Sequence, residues 1–201
     1  MSKIINPFKT CTAVLLVVIS VMWFSERSVA DIITFGSGAN AFNMEFVTIG
    51  NAGNADDTTG LPNPAGSVAY EYRMGKFEVS QDMITKANAA GSLGITLDDM
   101  SFVTGAPGAT MPATGISWNE AARFVNWLNT SNGFAPAYKF ALQPGDVGYS
   151  SNANNDVWTV ADELDYDASN PYRSRRANYV LPSIDEWYKA AYYEAVRGNN
   201  P

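Results

Sequence analysis

The sequence predicts a mixed α+β domain: short strands and three capped helices in one layered unit, with much irregular chain between them. Two observations place the helices. Ser117 and Glu120 stand three residues apart ahead of an apolar-periodic run, and Ser183 and Glu186 repeat the arrangement. In each pair the Ser side chain can accept a bond from the third N–H while the carboxylate accepts from the N–H of Ser, a reciprocal helix start. A third observation limits the regular elements: breakers crowd the rest of the chain, with 16 Gly and 10 Pro.

Taken in order, Met1 to Ala30 reads as an export signal. Lys3 and Lys9 supply the positive end, Thr12 to Phe24 the apolar core, and Ser28-Val29-Ala30 a small-residue cleavage site. The apolar run is shorter than the ~20 residues a spanning helix needs, so cleavage is favoured over an uncleaved membrane anchor. Cys11 lies ahead of the apolar core, which speaks against a lipoprotein anchor. The mature domain is then 31–201, in a periplasmic or extracellular setting. Cys11 is the only cysteine and leaves with the leader, so no disulfide is available to staple the fold. Removing the leader also takes away Lys3, Lys9, Arg27 and Glu26, moving the formal charge from −7 to −9. An acidic chain of this kind argues against nucleic acid or anionic lipid as the main partner. With 46% hydrophobic residues it has enough apolar material for a core and is not a disordered chain.

Glu45 to Ile49 reads as a strand, with the short apolar run Ile32-Ile33 ahead of it. Asn51 to Gly66 is a loop containing Asp56 and Asp57. Their oxygens suit a calcium ion, but the same residue types are what tight turns select, and the turn is the favoured reading. Ala69 to Val79 is the next strand, with Tyr70, Tyr72 and Met74 alternating on one face. Such a Tyr row is either a sugar-stacking platform or, more commonly, cross-strand packing. Ser80 caps a short helix from Gln81 to about Ala90, with Met83, Ile84 and Ala87 inward and Gly91 as its stop.

The helix after Ser117 presents Ala121, Phe124, Val125 and Leu128 as its apolar face. From Ser131 to Asn178 the chain is mostly connection, with short strands expected at Tyr138 to Leu142 and Val157 to Val160. Its Tyr149, Trp158, Tyr166 and Tyr172 favour an ordered, packed insertion. An acidic cluster there includes Asp165 and Asp167, a weak second calcium candidate that lacks the Gly and Glu of an EF-hand. It is followed by Arg173, Arg175 and Arg176, and the two clusters are expected to pair or to sit in water. The last helix begins at Ser183. Ile184, Trp187 and Ala191 form its expected buried stripe, Asp185 is spaced to pair with Lys189, and Arg197-Gly198 provides a stop.

The chemistry the chain can perform is narrow. It has no His, so it has no Ser-His-Asp triad, no imidazole base near neutral pH and no His metal site. A mature chain without Cys has no thiolate nucleophile and no soft ligand for copper. No phosphate-binding Gly loop occurs. Carboxylates remain: Glu78, Glu120, Asp185 and Glu186, of which Glu120 and Glu186 are better explained as capping partners. No catalytic residue is assigned.

Three stretches carry a family resemblance. They are Tyr72-Arg73-Met74-Gly75-Lys76-Phe77-Glu78-Val79-Ser80, then Met111-Pro112-Ala113 leading into the Ser117–Leu128 helix, then Leu181 to Tyr193. In this order they resemble the formylglycine-generating enzyme, or sulfatase-modifying factor, family, whose members share a variant of the C-type-lectin fold. Ser80 and Ser183 stand where that family usually has Thr, and Val180 where Arg usually precedes Leu-Pro. The family's oxidases act on a sulfatase cysteine with copper held by two cysteines, and related iron enzymes use histidine ligands. No position here matches either set. The family's catalytic cysteines and calcium ligands lie largely in a C-terminal half, around a Gly-Asn-Val-Trp-Glu-Trp motif that is not among these residues. The expectation is therefore the N-terminal portion of such a domain, an incomplete unit with no cofactor of its own beyond the calcium candidates. Its expected role is a non-catalytic bacterial binding or structural module for a polysaccharide or cell-surface protein. The alternative is the N-terminal part of an oxidase whose catalytic half lies beyond Pro201. Both capped helices facing one core would bury Trp118, Phe124, Trp127, Trp187 and Ala191.

Overall fold

The computed structural model describes residues 30–99 and 108–193. The expected leader and the Arg197-Gly198 stop lie outside them. Strands β1 (Asp31–Phe35), β2 (Phe42–Ile49) and β3 (Tyr72–Gly75) form one antiparallel sheet in the order β1-β2-β3. The strand expected over Ala69–Val79 is thus cut to four residues, and β1 is a strand where the sequence showed only Ile32-Ile33. The β1–β2 hairpin closes through Gly36, whose φ is +71°. A Cβ there would lie 2.5 Å from the Asn40 carbonyl oxygen, so only Gly fits. Period-two alternation then puts Phe35, Phe42 and Met44 on the buried face.

Helices α1 (Gln81–Gly91) and α2 (Trp118–Ser131) cover that face. Ser80 caps α1 by accepting from the Met83 N–H, as its position predicts, and Ile84 and Ala87 are buried. Both halves of the Ser117–Glu120 capping box are present on α2. Phe124, Trp127 and Leu128 pack with Phe35, Phe42, Ile84 and Ala87 in one apolar cluster. Phe42 stacks on Trp127 with ring centroids 5.8 Å apart. The approach of α1 to α2 depends on Gly91, because a Cβ there would meet the Trp127 ring at 2.6 Å.

The chain between α2 and the last helix is ordered by a polar stripe on α2 at Arg123, Asn126 and Asn129. Arg123 donates to the carbonyls of Ser151, Leu142 and Ala153 at 2.9–3.1 Å, and its guanidinium lies 3.8 Å from the Phe140 ring centroid. Asn126 makes a two-way bond with the Tyr138 backbone. Asn129, fully buried, donates to the Tyr179 carbonyl and accepts from the N–H groups of Asn178 and Tyr179. These side chains thereby give partners to main-chain groups that lie outside regular structure or at its ends. The insertion is ordered and packed, as its aromatic content predicts. Of its expected strands, β4 (Lys139–Phe140) lies within Tyr138–Leu142 and pairs with β5 (Asn155–Asp156), whereas Val157–Val160 is not a strand.

Helix α3 (Ile184–Tyr192) has the second capping box, Ser183 with Glu186. It ends earlier than the sequence suggests, since Tyr193 is already extended. Its burial corrects the sequence reading. Ile184 is 65% exposed, Trp187 is 51% exposed and Ala191 is exposed, while Glu186, Tyr188 and Lys189 are buried. Trp118 is also half-exposed, edge-on to Tyr138 at 5.2 Å. Phe124 and Trp127 are buried as expected. Among the described residues the architecture is α+β, as predicted, and no helix is long and apolar enough to cross a membrane.

Candidate functional site

A cleft of about 1170 Å³ separates β3 from the chain that leads into α3. Every residue from Tyr70 to Val79 lines one side. Asn178 to Pro182, with Trp187, Ala190 and Ala191, lines the other. Its floor is the edge of the core, where Met44, Phe46, Val125 and Leu128 come to the surface of the cavity.

A charged and aromatic cluster is built into this cleft. Glu186, held on the first turn of α3 by the cap, accepts from the Ser183 N–H at 2.6 Å. The same carboxylate forms an ion pair with Arg173 at 3.0 Å and accepts from the Tyr70 hydroxyl at 2.7 Å. Arg173 also donates to the Leu181 carbonyl, and Tyr72 donates to the carbonyl of Glu186. Burial pushes the Glu186 carboxyl up, but Arg173, the Ser183 N–H and Tyr70 outweigh it and hold it lowered to about 2. Burial, with the nearby Glu186 charge, raises the Tyr72 hydroxyl to about 12. At neutral pH the cluster is therefore a fixed carboxylate–guanidinium pair flanked by two neutral phenols. It can recognise and orient a ligand. It offers no group poised to move a proton near pH 7.

The sequence-predicted residues fall as follows. Glu120 and Glu186 are capping partners, and each has further bonds: Glu120 also accepts from the Thr96 N–H and the Ser151 hydroxyl. Glu78 is exposed at the cleft. Asp185 does not pair with Lys189. It accepts from the Gly66 N–H, and Lys189 donates to the Asn51 carbonyl, with burial pushing its pKa down. Of the expected acidic–basic pairing in the insertion, Asp165 meets Arg176 at 2.9 Å, while Arg173 turns to Glu186 instead.

The calcium candidates occupy turns. Asp57 accepts from the Thr59 N–H and hydroxyl and from the Tyr188 hydroxyl, and Asp56 from the Ser67 N–H. Asp167 accepts from the Ser169 N–H and hydroxyl, and Asp165 from Ser174 and Arg176. Among the described residues no three His, Cys, Asp or Glu side chains are grouped to hold a metal ion. A copper centre of two thiolates does not fit this sequence, which has one cysteine, at position 11, and no histidine. No step is derived through such a group.

Residues 39–199 match the family described as the sulfatase-modifying factor enzyme 1-like domain. The chain belongs to that family. No curated protein matches it. Among solved structures, Treponema denticola variable protein 1 is similar at 22% identity, with a TM-score of 0.48. The alignment covers 81% of this chain, which spans 56% of that protein's length. Of the stretches that carry the resemblance, Tyr72–Ser80 supplies β3 and the cap of α1, and Leu181–Tyr193 supplies α3. The two motifs face each other across the cleft.

Sequence reasoning missed the Arg173–Glu186–Tyr70 cluster. Arg173 and Glu186 are 13 residues apart and Tyr70 and Glu186 are 116 apart, so no local pattern joins them. The available signals were separate: a Tyr row, a cap and an arginine cluster.

Proposed function

We infer that this protein is an exported, non-catalytic binding module of the sulfatase-modifying factor family, acting through the cleft between β3 and α3. The observation that carries the reading is the Glu186–Arg173 pair with Tyr70 and Tyr72, a rigid polar cluster beside an apolar floor and the exposed Trp187. Pockets of this kind, mostly apolar with a few fixed polar groups, orient ligands. The lack of histidine and the single cysteine at position 11 support binding over the family's oxidation chemistry. The leader supports export, to a setting where the ligand is a polysaccharide or a cell-surface protein.

The test has two arms. N-terminal sequencing of the protein made in its native host is expected to begin at Asp31. Neutral glycans and displayed peptides are then screened against the mature protein, with and without calcium. The reading fails if neither class binds, or if Trp187→Ala and Tyr70→Ala leave the observed affinity unchanged.

A second reading draws on the apolar face of α3, where Ile184, Trp187 and Ala191 lie exposed beside the cleft. A catalytic half beyond Pro201 would cover that face and would make this the first part of an oxidase. A native mass well above that of Asp31–Pro201, with cysteine in the added segment, would favour it.

A further inference from the structure

We propose that a second pocket, on the opposite side of α2 from the cleft, binds a small organic monocarboxylate through the Trp127 indole N–H and the charge of Arg123. The pocket shares no residue with the cleft, and its occupancy does not depend on what the cleft binds.

The pocket has a volume of about 510 Å³, within the range of small-ligand sites. Helix α2 lines it with Arg123, Asn126, Trp127 and Thr130, the end of α1 with Ala90 and Gly91, and the insertion with Lys139 and Trp158. The α2 residues of the cleft are Ala121, Phe124, Val125 and Leu128, which helical periodicity places on the other face. Arg123 and Trp127 stand one turn apart, so both can meet one ligand.

Trp127 carries an unused donor. It is 9% exposed, yet among the described residues its indole N–H has no hydrogen-bond partner, and the nitrogen is not sealed from solvent. Trp158, equally buried, donates its own N–H to the Ala137 carbonyl at 3.0 Å, as a buried indole ordinarily does. The free N–H edge lies against Gly91, where a Cβ would stand 3.0 Å from Nε1. Gly91 is itself a wall residue, so the donor is at the pocket surface.

The charge selects the ligand. Arg123 is 3% exposed and, among the described residues, is in no ion pair. Its three bonds go to main-chain carbonyls, which leaves two of its five N–H groups without a partner. Its guanidinium lies on the Phe140 and Tyr149 rings at 3.8 and 4.6 Å. A buried charge ordinarily has an opposite charge beside it. Lys139, the other cation of the lining, is already neutralised by Asp162 at 2.8 Å, and no Asp or Glu lines the pocket. One uncompensated positive charge matches a monoanion, whereas a phosphate dianion would bring excess negative charge into a site of little water. Leu93, Phe140, Pro144 and Trp158 give the ligand's carbon body an apolar surround.

The probes are acetate, benzoate and indoleacetate, with benzamide and inorganic phosphate as comparisons, titrated into isotope-labelled protein. The readout is the Trp127 indole N–H resonance, identified by its disappearance in Trp127→Phe, which keeps a ring in the core. Benzoate or indoleacetate should shift it saturably, acetate and benzamide should bind at least tenfold more weakly, and phosphate should leave it in place. By calorimetry, Trp127→Phe should weaken binding at least fivefold. Ala90→Trp, at an exposed wall position, should weaken it at least tenfold by filling the pocket. Trp187→Ala, in the cleft, should change it less than twofold. Each variant is checked for folding by circular dichroism.

No saturable shift with any of the three carboxylates overturns the proposal. So does equal affinity for benzamide, which would leave the Arg123 charge without a role, or affinity for phosphate matching that for a carboxylate. Undiminished binding to Ala90→Trp would put the ligand elsewhere and overturns it as well. That last arm stays decisive even where Trp127→Phe fails to fold, because Ala90 is on the surface.

Discussion

Helices α2 and α3 begin with the same local grammar and end in opposite environments. Each has Ser at the cap, Glu at the third helical position and Trp in the first turns. Yet α2 buries Phe124, Trp127 and Leu128, while α3 exposes Ile184 and Trp187 and buries Glu186, Tyr188 and Lys189. The difference lies in the neighbours. α2 faces the sheet and α1 in the main apolar cluster. α3 instead meets polar chain: the Tyr188 hydroxyl donates to Asp57 at 2.6 Å, and Lys189 donates to the Asn51 carbonyl at 2.8 Å. A capping box therefore determines where a helix starts, and the partners that reach it determine which side is inside.

The sharpest way to break this contrast is to truncate matched aromatics. Trp127→Ala should cost ~3–5 kcal/mol in denaturant unfolding, as a packed core ring does. Trp187→Ala should cost under ~1 kcal/mol. Equal losses would mean that α3 is as deeply packed as α2.

Acid should discriminate the two helices next. The folded-state pKa of Glu186 is lowered to about 2 from 4.5, so its contribution is fully present above the unfolded value and is lost as pH falls from about 4.5 toward 2. The loss should be ~2–3 kcal/mol in this window, and Glu186→Gln should flatten it. A wild-type stability profile unchanged between those pH values would show that the Arg173 pair does not form in solution.

Gly91→Ala sharpens the account of α2 from the other side. The added methyl meets the Trp127 ring and should cost ~1–3 kcal/mol by thermal or chemical unfolding. A neutral or stabilising result would show that α1 and α2 are less closely apposed than the 2.6 Å approach implies.

The smallest effect tests what the helices share. Ser117→Ala and Ser183→Ala each remove a bond to a first-turn N–H and should cost ~1 kcal/mol apiece. A clear loss at Ser117 with none at Ser183 would show that only one box contributes.

These residues also show what was legible in the sequence. The caps and helix starts were readable because both partners sit within three positions of each other. The core face of α2 was readable because apolar side chains recur at helical spacing from Ala121 to Leu128. The inner face of α3 was not, since its anchors, Asp57 and Asn51, lie 131 and 138 residues away. The amphipathic rule alone assigns Ile184, Trp187 and Ala191 to the inside and is inverted here. The cleft cluster was hidden for the same reason, and the span of β3 was overestimated because Tyr and Val favour strand even where no neighbour pairs.

The stripe of Arg123, Asn126 and Asn129 on α2 has a consequence for how this protein can change. All its bonds to the insertion and to Asn178–Tyr179 go to main-chain atoms, which every residue supplies. Those hydrogen bonds are blind to side chains, although Arg123 also holds the Phe140 and Tyr149 rings against its guanidinium. Exposed residues of the gripped segments can therefore exchange without losing their position, whereas the buried Ala137, Tyr138 and Phe140 cannot.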